Sequence, residues 1–259
     1  MAKTALITGA SSGIGYELAK IFARENTQLI ITARREEKLQ NLKNELEKNH
    51  SIQVHLFTAD LSKTDAPELI FDFCKENNLQ VDYLINNAGI GDYGFFSESS
   101  WDTTQTMIDL NIKSLTHLTR LFLPGMIERK SGKIMNVAST ASFQPGPLMS
   151  VYYATKHYVL AFSEALANEV SVHDITITTL CPGPTKSEFQ ETANMQKSKL
   201  MDRFPMPDSQ EVAEYGYKSM MNGKRVAVHG FANKVMSKLV SLFPRKMVTS
   251  IVRKVQERK

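Results

Sequence analysis

Tyr152 and Lys156 stand four residues apart in a stretch where Tyr158, Phe162, Ala165 and Leu166 recur at helical spacing from near Val151 onward. On a helix, positions i and i+4 share a face, which sets a phenol beside an ammonium. A free tyrosine ionises near about 10, so making it an effective proton donor near neutrality calls for about 4 kcal/mol of preferential phenolate stabilisation. A neighbouring cation in a low-dielectric site supplies much of that. Taken alone, Tyr-x-x-x-Lys equally describes a surface pair on an amphipathic helix, and Tyr153 is a competing phenol. A second cluster, Gly9-Ala10-Ser11-Ser12-Gly13-Ile14-Gly15, follows an apolar run and precedes an amphipathic one through Leu18, Ala19, Phe22 and Ala23. Glycines admit turn conformations that a Cβ forbids and let the backbone approach a pyrophosphate, while free N–H groups at the following helix start stabilise its charge. In that context the cluster points to a nucleotide.

Such groups need a scaffold, and the apolar runs supply one. Seven of strand length lie at 5–8, 28–32, 52–57, 83–86, 133–137, 175–180 and 226–228. Their continuous apolarity suits strands covered on both faces, and helical segments between them (Leu39, Leu42 and Leu46 mark one) give crossovers to a parallel sheet. The expectation is an α/β, doubly wound, seven-stranded parallel sheet forming one domain over 1–230. Residues 231–259 form a basic amphipathic helical extension.

Charge is divided in the same way. The chain of 259 residues carries +4 overall, but residues 224–259 hold ten Lys/Arg against one acid, which leaves the remainder at −5. A basic tail on an acidic body, without a basic aromatic-interleaved stripe, argues against nucleic acid as partner. Cys74 and Cys181 are far apart and show no metal-ligand spacing, so neither a disulfide framework nor a metal is expected. Met1, Ala2 and Lys3 run straight into the first strand, and no stretch approaches the roughly 18 apolar residues of a spanning helix. The expected location is cytoplasmic, with peripheral membrane contact left open.

The spacing Gly9, Gly13, Gly15 resembles the Gly-x-x-x-Gly-x-Gly turn of the short-chain dehydrogenase/reductase family, and the resemblance covers about residues 3–230. It implies a Rossmann-like fold and a nicotinamide cofactor held by Gly9, Ser11, Ser12, Gly13, Ile14 and Gly15. Asp60 and Leu61 resemble the family's adenine contact, and Asn87, Ala88 and Gly89, after Asn86, its turn beside the cofactor. Where an NAD-preferring member would place an Asp, this chain has Ala33 followed by Arg34 and Arg35, whose guanidinium forks suit a 2′-phosphate. NADP(H) is therefore implied, with Arg34 placed ahead of Arg35. Asn111, Ser139, Tyr152 and Lys156 match the family's tetrad in identity and order. By that resemblance Ser139 hydrogen-bonds the carbonyl oxygen, Tyr152 protonates the alkoxide, Lys156 acidifies Tyr152 and binds the nicotinamide ribose, and Asn111 holds a relay water. Pro182, Gly183 and Thr185 resemble the turn that holds the carboxamide. The family's Thr falls on Ser187 here, so Thr185 and Ser187 stay alternatives.

Phe189, Met195, Leu200, Met201, Phe204 and Met206 give the segment 188–208 an apolar lining fit for a hydrophobic carbonyl or alcohol, or equally for packing over the sheet. In the tail, Val235, Met236, Leu239, Leu242 and Phe243 form one apolar face, Pro244 interrupts, and Met247, Val248, Ile251, Val252 and Val255 form another, with lysines and arginines on the polar sides. Packing on the body or on another subunit is expected ahead of an anionic membrane surface. The family resemblance implies a homodimer or homotetramer. The rival function is a catalytically silent dinucleotide-binding sensor or a membrane-surface module, which would need the glycine turn but not the tetrad.

Overall fold

The computed structural model describes residues 2–195, 198–199 and 206–258. Seven parallel strands, β1 (Thr4–Thr8), β2 (Gln28–Ala33), β3 (Val54–Thr58), β4 (Tyr83–Asn86), β5 (Gly132–Val137), β6 (Ile175–Cys181) and β7 (Val226–Val228), lie in the order β3-β2-β1-β4-β5-β6-β7. All seven expected strands are present, none displaced by more than two residues at either end. β3 starts late because the Ile52 N–H closes a turn on the His50 carbonyl.

Side chains alternate across β1, and both faces are covered. Ala5 and Ile7 pack into the layer made by α1 (Gly13–Arg24), α2 (Glu36–Asn49) and α8 (Ser209–Met221). Leu6 enters the opposite layer, made by α3 (Ala66–Glu76), α5 (Leu115–Arg129) and α6 (Ser150–Glu169). β1 pairs with both β2 and β4, so strand order reverses there and the chain departs to opposite faces beyond the two carboxyl ends. A crevice at that switch point is what this topology produces.

Two buried asparagines tie the second layer to the sheet. Asn86 of β4 and Asn136 of β5 are register partners. Asn86 Nδ2 donates to Asn136 Oδ1 at 2.9 Å, and Asn136 Nδ2 donates to Ser163 Oγ of α6 at 2.8 Å. Paired in a low-dielectric interior, these amides hold α6 in one register over β5.

Before α5 comes α4 (Trp101–Ile108) and a π-helical segment, Asp109–Ser114. After β6 comes the single turn α7 (Phe189–Thr192), and after β7 come α9 (Phe231–Leu239) and α10 (Arg245–Val255). α10 buries Val248 and Val252 in the cluster that holds Tyr152 and Tyr153. Part of the tail thus packs on the body, whereas Val235, Met236 and Leu239 of α9 stay exposed. Among the described residues no helix is long and apolar enough to cross a membrane.

Candidate active site

The glycine turn is built for the absence of side chains. Gly9 and Gly13 have φ of +68° and +59°, and a Cβ at Gly9 would stand 2.9 Å from Ala88 Cα. Gly15 serves a different end. A Cβ there would meet the Gly9 carbonyl oxygen at 2.5 Å, so this glycine lets α1 approach β1 and, unlike Gly9 and Gly13, does not line the cavity beneath. Thr8, which sequence reasoning passed over, stitches the next wall in place: its Oγ accepts from the N–H groups of Asn87 and Ala88, both at 3.0 Å. Asn87 Nδ2 in turn donates to the Thr8 carbonyl at 2.9 Å. A hydroxyl directly before the first glycine is the signal that would have found it.

At the end of β2 the two arginines part. Arg35 reaches over the glycine turn, donating to Ser11 Oγ at 3.0 Å and Ser12 Oγ at 3.1 Å. Arg34 lies close enough to Asp60 for its charge to lower that carboxyl's pKa. Burial pushes Asp60 up, but the Ser62 N–H and hydroxyl, bonded to its Oδ1 at 3.1 and 2.8 Å, outweigh it, with Arg34 and Lys63 adding to the same side. On hydrogen bonding to the turn it is thus Arg35, rather than the Arg34 placed first from sequence, that is fixed there.

Across the cleft Glu188 clasps Lys38 at 2.5 Å and Arg35 at 2.7 Å. Hydrogen bonds from Lys38 and then Arg35 hold this carboxyl down at about 2. No spacing in the chain could have revealed a partner for Arg35 so far along the sequence.

One cavity of about 770 Å³ extends from Arg34, Arg35 and the glycine turn past Asp60, Leu61, Asn87, Ala88 and Gly89 to Ser139, Tyr152 and Lys156. Pro182, Gly183, Thr185 and Ser187 line it as well. Of the predicted site residues only Gly15 and Asn111 are missing from its wall. Asn111 is 1% exposed, in the π-helical segment, a feature found at functional sites. Its Nδ2 donates to the Ile90 carbonyl at 2.9 Å and to Thr155 Oγ at 3.1 Å, and its Oδ1 accepts from the Ile90 N–H at 3.0 Å. With both amide N–H groups spent, the side chain braces the floor beneath Lys156 and Gly89.

α6 delivers Tyr152 and Lys156 to the same side, with Lys156 Nζ 5.8 Å from the Tyr152 ring centroid. Nζ donates to the Val137 carbonyl at 2.8 Å. Ser139, at the end of β5, accepts from the Ala141 N–H at 3.1 Å and lies 3.4 Å from the Pro182 carbonyl. Burial is the largest influence on both Tyr152 and Lys156. Burial pushes Tyr152 up to about 12, opposed by a hydrogen bond with Ser139, and burial pulls Lys156 down to about 8. The Lys156 ammonium itself is engaged with the Val137 carbonyl.

Tyr153 does not compete. Its ring lies under Gly146, where a Cβ would come within 2.3 Å, and its hydroxyl meets the Gln256 side chain. Thr185 Oγ donates to the Gly183 carbonyl at 2.9 Å, whereas Ser187 lies beside the glycine turn, its Cβ 3.3 Å from where a Gly13 Cβ would stand. The apolar end of the cavity is formed by Phe189, Met195 and Met206 together with the tail residues Met236, Ile251, Val252 and Val255. Leu200, Met201 and Phe204 lie outside the described residues. Gln256 also lines it, 1% exposed, with its backbone carbonyl accepting from the Tyr93 hydroxyl. Sequence reasoning missed Gln256 because its only mark is tertiary.

The family model for short chain dehydrogenases matches residues 3–198. YvaG, an uncharacterized oxidoreductase of Bacillus subtilis, is 37% identical over 192 residues, which is 73% of this chain and 71% of that protein. Nodulation protein G of a Rhizobium species is 33% identical over 218 residues, 82% of this chain and 86% of its own length. A short-chain dehydrogenase from Sphingobium yanoikuyae in complex with NADPH superposes with a TM-score of 0.81 at 28% identity, covering 94% of this chain and 97% of that one. A family structure from Burkholderia phymatum in complex with NAD has the same fold, with a TM-score of 0.83 at 24% identity over 92% of each chain.

Proposed function

The chain belongs to the short-chain dehydrogenase family, oxidoreductases that use nicotinamide cofactors on alcohol or carbonyl groups, and from that premise we propose that it reduces a hydrophobic carbonyl compound with NADPH. The observation that carries this is one cavity, with Arg35 and the glycine turn at one end, an apolar wall at the other, and Ser139, Tyr152 and Lys156 between them.

The glycine turn suits a dinucleotide, because Gly9 and Gly13 at positive φ line the cavity without side chains and let backbone come close to a pyrophosphate. Bound there, the nicotinamide supplies the hydride. The chain supplies the rest. Ser139 exchanges its long contact with Pro182 for a hydrogen bond to the substrate oxygen, where negative charge develops. Tyr152 delivers its proton to that same oxygen. A pKa near 12 keeps the phenol protonated at neutral pH, the state a donor requires, and an alkoxide is basic enough to take the proton. Lys156, which burial brings down to about 8, is charged at neutral pH; in this reading it binds the nicotinamide ribose and balances the phenolate that Tyr152 leaves on giving up its proton.

The choice of NADPH rests on Ala33, which offers no carboxylate to the ribose hydroxyls, and on Arg35 held over Ser11 and Ser12 with Lys38 close by. The NADPH complex of the Sphingobium relative is in keeping with it. Disappearance of NADPH absorbance with a panel of apolar ketones and aldehydes tests the proposal. Turnover of several, with NADH much poorer, is the expected result. NADPH binding without turnover of any would instead indicate the silent sensor, and equal efficiency with the two cofactors would remove the 2′-phosphate assignment.

A further inference from the structure

Eight of the fifteen exposed large hydrophobic side chains among the described residues fall within 231–251. Phe231 is 83% exposed, Leu242 75%, Ile251 53% and Phe243 50%, in a region where α10 is nevertheless anchored to the body by Val248 and Val252. Such a concentration on an ordered element marks an interaction surface. Lys234, Lys238, Arg245 and Lys246 are interspersed with these residues and exposed, and from 215 to 256 the chain has no Asp or Glu. A face both apolar and wholly cationic repels a second copy of itself and complements an anionic surface. It also continues into the cavity, because Met236 and Ile251 are exposed on the outside and line the apolar end within.

We propose that this face docks on a bilayer containing anionic lipid, with α9 and residues 240–243 at the headgroup boundary and the apolar mouth of the cavity turned to the membrane. Docking stands on the surface alone. Entry of a hydrophobic substrate from the bilayer rests, in addition, on the function proposed above.

Truncating the tail would remove a wall of the cavity, so the test uses point substitutions on exposed residues in the full chain. Flotation is compared on vesicles of phosphatidylcholine with and without phosphatidylglycerol, at low and high salt. The wild-type chain is expected to float with the anionic vesicles at low salt. The pair Lys238→Glu and Lys246→Glu lowers partitioning about tenfold or more, since each basic residue near an anionic surface contributes about a fivefold effect. Leu242→Ser with Phe243→Ser lowers it about tenfold at either salt, with unchanged thermal unfolding and NADPH binding. Wild-type protein left at the bottom of the gradient with anionic vesicles overturns the proposal. So does a solution dimer that the Leu242 and Phe243 substitutions dissociate while vesicle binding is absent, because the face would then belong to a second copy. Flotation needs no turnover, so it can fail or succeed independently of the catalytic assignment.

Discussion

The two ends of the cavity are made in different ways. The end with Arg35 is built mainly of residues that directly follow β1, β2, β3 and β4, each positioned by the register of the strand before it, with Ser187 and Glu188 reaching it from beyond β6. The other end is assembled from α6, the segment after β6 and the tail, brought together only by tertiary contacts: Gln256 on Tyr93 and Tyr153, the Ser198 bridge to Arg258, and the Lys199 N–H on the Glu257 carbonyl at 3.0 Å. The sheet makes the first end common to many proteins of this fold. The second depends on side chains from distant segments, and under the proposed function its apolar lining sets substrate preference.

That contrast can be broken at several points. Gly9→Val forces a β-branched residue to φ +68° and its Cβ towards Ala88, at about 1–3 kcal/mol of strain. It is expected to abolish NADPH binding in a fluorescence titration and to lower the unfolding temperature by several degrees; binding that survives would mean the turn is not the cradle. Arg35→Ala should reduce kcat/KM with NADPH by about 10–100-fold, the size of a charge-assisted hydrogen-bond loss, and leave NADH almost unchanged. An equal fall with both cofactors would detach Arg35 from the 2′-phosphate. Burial holds Lys156 at about 8, so the lysine is charged below that pH and neutral above it. The pH profile of kcat/KM for NADPH should accordingly fall about tenfold per pH unit beyond the limb, and a flat profile through pH 9 would contradict the role given to its charge. Smallest is Glu188→Gln, which frees Arg35 and Lys38 from an exposed clasp. It should tighten NADPH by about two- to fivefold, in proportion to an exposed ion pair, whereas weaker binding would make Glu188 part of the grip on the cofactor.

Legibility from sequence follows the same division. The sheet and the turns after β1 to β4 depend on contiguous residues, so apolar runs and glycine spacing suffice to read them. Thr8 was read only as the last residue of a strand, although its hydroxyl directly precedes the first glycine, and the π-helical segment around Asn111 escaped notice because its neighbours read as ordinary helix. Glu188 and Gln256 find partners 153 and 103 residues away in the chain, a distance at which spacing carries no information. The electrostatics around the phenol are also out of reach of spacing. Helical spacing fixes that Tyr152 and Lys156 share a side of α6, but says nothing of burial or of the Val137 carbonyl that engages the ammonium.

The most direct test of the whole account is Tyr152→Phe, which removes one oxygen from a ring already packed against Phe189. NADPH should bind within about twofold of the wild type while carbonyl reduction drops by about 10²–10⁴-fold, the usual worth of a positioned proton donor. Retention of most of the turnover would show that the proton comes from elsewhere and that the centre of this cavity has been assigned wrongly.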